Sequence, residues 1–337
     1  MAEYPLGAGN VWFWPRRPDR QDSYASECGK EDGGGVSLKT CKSCMLVKYC
    51  DTTCQHKHWP KHKKQCKLRA AELHDEALFK DPPPKEDCPI CFLPMPTKLI
   101  CCMSLPPATA SSLPIYDFAI ANEELVHKEM EQYFPCCGKT ICCGCVHSFC
   151  KSGNTRKCPF CNSDRAGKTD EDDVEEMMKR VAANDAASIN LLAGYYYHGR
   201  LGLQQDRTKA MELYGRAAEL GNTKAHNNLA GIYHDGGDLK NAKFHFEEGA
   251  MAGHEIARCN LGAIEYNSGN MERAFKHWTV AASAGSYNAM HEMRAFFEKG
   301  YVSRESIDST LIAYNNSCTE MRSESRDAYI RDKTKST

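Results

Sequence analysis

No stretch of this 337-residue chain approaches the roughly eighteen consecutive apolar residues of a membrane span. The short apolar run in MAEYPLGAGNVWFWPRRPDR, with prolines on both sides, also falls short of a secretion signal's h-region. An intracellular location, cytoplasmic or nuclear, is therefore expected, with no membrane contact. Charge of one sign is lacking too: 43 Lys and Arg stand against 44 Asp and Glu, which makes nucleic acid an unlikely partner. The sequence has no H-E-x-x-H, no G-x-S-x-G, no Walker loop and no paired-carboxylate constellation. Gly33-Gly34-Gly35 lacks the Lys-Ser/Thr of a phosphate loop and reads as a linker. The back half is nearly without cysteine: of 20, only Cys259 and Cys318 follow residue 161. What remains is a cysteine-rich front and an ordinary globular back, enough chain for two or three domains.

Cysteine pairs in a reducing compartment bind metal and do not form disulfides. Cys88-Pro-Ile-Cys91 and Cys158-Pro-Phe-Cys161 bracket a denser group, Cys136, Cys137, Cys142, Cys143 and Cys145. A C-x-x-C turn offers two sulfurs to one tetrahedral zinc at about 2.3 Å each, so the set supplies two ions if the pairs alternate. That order of pairs resembles a RING finger, in the variant with eight cysteines. The resemblance implies one site from Cys88, Cys91, Cys142 and Cys145 and another from Cys136, Cys137, Cys158 and Cys161. The chain departs from the pattern in having Lys139 where a histidine ligand is usual, and in the adjacency of Cys136 and Cys137. Cys101 or Cys102, in the long loop before them, could replace one of that pair. The loop segment 117–134 has helical character.

A second array precedes the first: Cys28, Cys41-Lys-Ser-Cys44, Cys50, Cys54, His62 and Cys66. The run KYCDTTCQHKHWPKHKKQC resembles a MYND finger in its Tyr-Cys, Cys-Gln, Trp and His-x-x-x-Cys. Pro60 suits the first turn of a helix, and His62 and Cys66 then stand one turn apart. The resemblance implies a complete site from Cys41, Cys44, His62 and Cys66. The other site has Cys28, Cys50 and Cys54, with Ala25 where a further cysteine is usual; water, His56 or His58 are candidates for the fourth ligand. Three or four Zn2+ ions per chain are expected. The basic helix from Lys57 to Arg69 reads as a solvated face that offsets nearby thiolates. It continues to about residue 80, where Asp81-Pro-Pro-Pro-Lys makes a stiff spacer.

After a polar linker, Asp170-Glu-Asp-Asp173 suits the first turn of a helix. Beyond it the sequence repeats every 32 residues. Leu229 recurs as Leu261, and Ala210, Ala242 and Ala274 share the period, as do Tyr214, Phe246 and Trp278. Asp206, Asp238 and Asn270 stand where they would cap the following helix, and Gly221, Gly253 and Gly285 where they would end it. Each unit is thus two antiparallel helices that bury their apolar faces only by stacking, a solenoid. The spacings resemble tetratricopeptide repeats. The longer first loop, HGRLGLQQD, and the Ala-Ala-Glu-Leu-Gly ending resemble the Sel-1-like subclass.

The expected architecture is multidomain, two small zinc-stapled domains followed by an all-α helical-repeat solenoid. The boundaries read 1–27 flexible, 28–66 MYND-like, 67–87 helix and Pro-rich linker, 88–161 RING-like, 162–183 linker and helix, 184–317 repeats, 318–337 a tail too polar to pack. The RING resemblance implies docking of a ubiquitin-conjugating enzyme through Ile90 and Pro159, hence ubiquitin-ligase activity without covalent catalysis. Asn162 stands where many such ligases carry Arg or Lys. The MYND resemblance implies a proline-rich peptide near Gln55 and Trp59, and the solenoid implies a protein ligand. The alternative is a non-catalytic adaptor; a nucleic-acid-associated regulator ranks behind it.

Overall fold

A computed structural model describes residue 28 and residues 37–96 and 130–334. Cys101, Cys102 and most of the segment expected to be helical inside the long loop lie outside the described residues. The chain divides into two compact units between Ala77 and Leu78.

In the first unit, a hairpin of two short strands, β1 (Lys39–Thr40) and β2 (Lys48–Tyr49), leads into a long helix, α1 (Thr52–Leu78). The Asp51 carboxylate accepts from the Cys54 main-chain N–H at 2.7 Å and so caps the helix start. Pro60 therefore sits inside the helix, not in its first turn as the sequence suggested. The core of this unit is small, with Cys41, Cys44, Cys54 and Cys66 buried around Tyr49.

The second unit opens with an extended segment to Cys88 and the first knuckle. β3 (Glu131–Phe134) and β4 (Lys139–Cys142) then form an antiparallel hairpin, followed by α2 (Cys143–Lys151). Residues 131–134 are thus strand where helix was expected. Pairing Phe134 with Lys139 turns the chain at Cys136-Cys137, which a continued helix would not do. α3 (Asp170–Ala182) starts with a capping box, Thr169 and Asp172 each accepting from the other's main-chain N–H.

The solenoid follows as helix pairs. They are α4 (Ala186–His198) with α5 (Arg207–Glu219), α6 (Thr223–Asp235) with α7 (Leu239–Met251), α8 (Glu255–Asn267) with α9 (Met271–Ser283), and α10 (Tyr287–Glu298) with α11 (Arg304–Glu320). Leu192, Leu229, Leu261, Ala210, Ala242, Ala274, Phe246 and Trp278 are all buried. Asp206 and Asp238 cap as their spacing predicts. Asn270 makes no side-chain cap, because its amide donates to the buried Glu265 carboxylate at 2.7 Å. The end of the chain is also not as expected: α12 (Glu324–Thr334) packs, with Arg326 and Ile330 buried. Its composition is polar, but one apolar residue and one arginine have places prepared for them. Among the described residues no helix is long and apolar enough to cross a membrane.

Candidate metal centres

Three C-x-x-C turns share one local geometry. In each, the residue after the second cysteine takes a left-handed conformation: Met45 at φ 56°, Phe92 at 54° and Asn162 at 59°. Its N–H donates back to the carbonyl of the first cysteine, Cys41, Cys88 or Cys158, at 3.0, 2.8 and 3.0 Å. This turn aims both sulfurs of a pair to one side.

Each turn meets another element in one of three groups, and three further cysteines make a fourth; within each group the ligand atoms all lie within 4.8 Å of one another. In the first unit, α1 brings His62 and Cys66 to Cys41 and Cys44, while Cys28, Cys50 and Cys54 form a second group. In the second unit the groups are Cys88, Cys91, Cys142 and Cys145, and Cys136, Cys137, Cys158 and Cys161. Chain order and spatial order alternate: the first and third pairs share one group, the second and fourth the other. Among the described residues no fourth ligand joins Cys28, Cys50 and Cys54. His58 is turned to the Tyr49 hydroxyl at 3.2 Å and stacks on His62.

These donor sets fit zinc. Sulfurs about 2.3 Å from a tetrahedral ion stand about 3.8 Å apart. The separations are 3.7 Å for Cys41–Cys66, 4.0 Å for Cys88–Cys145, 3.8 Å for Cys91–Cys142, 3.8 Å for Cys137–Cys158 and 3.6 Å for Cys136–Cys161. The charges argue likewise. Burial pushes the Cys41 thiol up, but hydrogen bonds from His62 and the Cys44 and Ser43 main chain bring it down to about 6. Burial, then Cys41 and Cys44, push Cys66 up to about 12. In the second unit, burial opposes ionisation of Cys88 and Cys161, yet main-chain N–H groups near Cys88, and Ser163 near Cys161, bring them to about 7 and 6. Burial and Cys158 meanwhile hold Cys137 up at about 12. One thiol of such a group ionises readily and hinders the rest, so only a cation lets all four become ligands.

Residues 26–66 match the MYND finger family. Residues 186–222, 223–254 and 256–286 each match the Sel1 repeat. The N-terminal region is thus a zinc-binding MYND finger and the solenoid is built of Sel1 repeats, both protein-interaction modules. A SET and MYND domain-containing protein of Dictyostelium discoideum is 53% identical over 34 residues, which cover 10% of this chain and 6% of that protein. The chain therefore matches only a small fraction of that relative's length. Two solved structures are also similar. One is a Sel1 repeat protein from Oxalobacter formigenes, 22% identical with TM-score 0.40, covering 48% of this chain and 66% of that one. The other is a protective antigen present in uropathogenic Escherichia coli strains and displaying an SLR fold. It is 20% identical with TM-score 0.38, covering 49% of this chain and 40% of that one.

The MYND finger holds Gln55 and Trp59 one turn apart on α1, both exposed, with Met45 and Leu46 exposed as well. In the second unit Ile90 is 37% exposed, Phe92 76% and Phe160 47%, and Pro159 is half-buried. Lys139 lies over the Phe160 ring, 5.7 Å from its centroid.

The sequence reading missed the residues that anchor this second cluster pair. Arg326 of α12 donates to the Leu93, Pro94 and Met321 carbonyls at 3.2, 2.8 and 2.6 Å, and reaches the Cys91 sulfur at 3.4 Å. A Cβ at Gly144 would come within 2.7 Å of the Arg326 backbone, so only glycine admits α12 against α2. Asp332 pairs with His147 and Lys151 at 3.1 and 3.0 Å. On the other group, Arg180 of α3 donates to the Pro135 and Cys136 carbonyls. The Tyr133 hydroxyl donates to Asp185 at 2.8 Å and contacts the Ser188 hydroxyl at 2.5 Å. Glu131 pairs with Lys224, and Met130 enters the core built around Trp278. The one sign in the sequence was an arginine and an aliphatic residue spaced to share a helix face, Arg326 and Ile330, inside a tail that otherwise looked solvated.

Proposed function

We propose that residues 88–161 form an eight-cysteine RING-type finger that docks a ubiquitin-conjugating enzyme, while the MYND finger and the Sel1 repeats recruit the protein to be modified. The observation that carries this reading is the alternation of the four ligand pairs, which braces two knuckles side by side. The knuckle tips support it: Ile90 and Pro159 are accessible, and Phe92 and Phe160 extend the apolar surface around them. Closed four-ligand zinc sites are structural. The transfer chemistry would therefore belong to the docked enzyme, with this chain orienting it. Two ions in this finger and one or two in the MYND finger complete the reading. A proline-rich segment is the partner we assign to the MYND surface around Gln55 and Trp59.

Ile90→Ala tests it without touching a ligand. Loss of a central apolar contact costs about 2 kcal/mol or more, roughly a thirtyfold weaker complex. Transfer to the chain itself, assayed across a panel of conjugating enzymes, should fall accordingly while zinc content holds. Asn162→Arg should raise transfer by supplying a planar set of donors. The left-handed φ of residue 162 charges any such replacement about 1 kcal/mol, a strain that Phe92 and Met45 bear at the matching positions. No transfer with any enzyme, and none after Asn162→Arg, would leave the second reading, a non-catalytic adaptor. Its support is that MYND fingers and Sel1 repeats bind proteins without chemistry of their own.

A further inference from the structure

Residues 78–85, the spacer between α1 and the first knuckle, are held by the repeats side chain by side chain. Arg258 of α8 is 2% exposed, and its guanidinium donates to the Leu78 carbonyl at 2.8 Å and to the Ala250 carbonyl at 2.6 Å. A buried arginine beside carbonyls alone is costly, and burial pulls it down to about 10. Leu78 ends α1, so its carbonyl lies at the negative end of a helix, where a cation is favoured. The Leu78 side chain is buried in the core of the second and third repeats, with Ala242, Phe246 and Leu261.

The next contacts are made by Phe79, Pro83 and Lys85. The Phe79 ring lies 4.6 Å from that of His277, which is fully buried and has no hydrogen bond at either ring nitrogen. Arg273 and Lys276 lie over the Phe79 ring, 5.3 and 5.8 Å from its centroid. Pro83 sits 3.1 Å from the point where a Cβ on Gly253 would be, so the bare backbone there makes its place. Lys85 pairs at 3.0 Å with Glu255, which is itself buried.

We propose that α7, α8 and α9 form a sequence-reading peptide site. Its ligand is an extended segment with a Leu-Phe pair, a proline four residues after the Phe and a lysine two further on. The chain's own residues 78–85 occupy it in cis, and a partner protein carrying the same pattern competes for it. Each element of the pattern has its own receptor: Arg258 for the Leu carbonyl, the His277 face for the ring, Gly253 for the proline, Glu255 for the lysine. The spacer thereby does more than separate domains.

The probe is a fluorescein-labelled synthetic peptide of residues 76–87, followed by anisotropy against the full zinc-loaded chain. A tethered segment competes at an effective concentration on the order of millimolar, so an intrinsic Kd of about 20 µM would be weakened roughly fiftyfold. The chain carrying Leu78→Ala and Phe79→Ala should bind the peptide at least about tenfold more tightly than the unaltered chain. Adding Arg258→Met should remove most of that gain. A charge exchange supplies a second arm that keeps Leu78, Phe79 and Arg258 in place. With Glu255→Lys alone, a peptide with Glu in place of its lysine should bind more tightly than the natural one, reversing the preference of the unaltered chain. If the emptied chain keeps its helical circular dichroism but binds no better, the proposal fails. Should it not fold, an unchanged preference in Glu255→Lys is sufficient to overturn it. Dimer formation by Glu255→Lys without peptide binding would also overturn it, assigning the site to a second copy.

Discussion

The two fingers solve the same problem with different support. The MYND finger's buried residues are mostly its own ligands around Tyr49, so its core is the metal sites themselves. The second finger has the same knuckle turns, but its carbonyls, one sulfur and its hairpin are tied to α3, α4, α6 and α12. The difference teaches that ligand spacing sets a knuckle while remote residues set how far its stability depends on zinc. On this account the second finger would depend on both metal and repeats, and the first mainly on metal.

The largest single-residue effect should come from the repeats. Ala274→Glu buries an unpaired charge in the core that also holds Met130 and Trp278, at a cost on the order of 3–5 kcal/mol. A denaturant titration should show the loss, and zinc of the second finger should become easier to chelate while that of the MYND finger does not. Equal release from both would break the comparison. Arg326→Met keeps the bulk but takes the guanidinium donors from the Pro94 and Met321 carbonyls, the Leu93 carbonyl keeping the Cys88 N–H, for about 3 kcal/mol. The expected readout is faster chelator release of the Cys88 group alone.

His277 gives a smaller, pH-dependent effect. Burial, then Arg258, Arg273 and Lys243, push it down to about 3, with Glu265 opposing and the Phe79 ring uncharged beside it. The unfolded chain takes up this proton near pH 6.5 and the folded chain does not until about pH 3. The stability is therefore complete above pH 6.5 and is lost as pH falls, by about 1.4 kcal/mol per unit inside that window. Urea titrations at pH 7 and pH 5 should differ by about 2 kcal/mol more in the natural chain than in His277→Leu. Asp238→Ala should cost least, about 1 kcal/mol for one lost cap, with both fingers untouched. A cap effect as large as that of Ala274→Glu would place the repeat register wrongly.

Much of this was legible in the sequence because it recurs at fixed spacing. The C-x-x-C pairs, His62 with Cys66, and the alanines and aromatics of the 32-residue period announce local geometry, and local geometry needs no partner to be read. The anchors do not recur. Arg326 and Leu93 are more than two hundred residues apart, and Tyr133 meets Asp185 across three cysteine pairs, so no period marks them. The 131–134 strand read as helix because its apolar spacing suits both; its pairing with Lys139–Cys142 decides, and pairing is a tertiary fact. Asn162 carries two signals at once. Read as a docking position it is a weak donor, but at φ 59° it is also a residue suited to a left-handed turn.

The claim that the second finger and the repeats fold as one body is tested most directly by hydrogen exchange of α12 with and without zinc. Arg326 bridges the Cys91 sulfur and the Leu93 and Pro94 carbonyls, so the knuckle that zinc closes is also the surface on which α12 rests. Chelation should therefore strip protection from residues 324–334 and lower that of 186–192, while α7 and α9 stay protected. Protection of α12 that is the same with and without zinc would contradict the account.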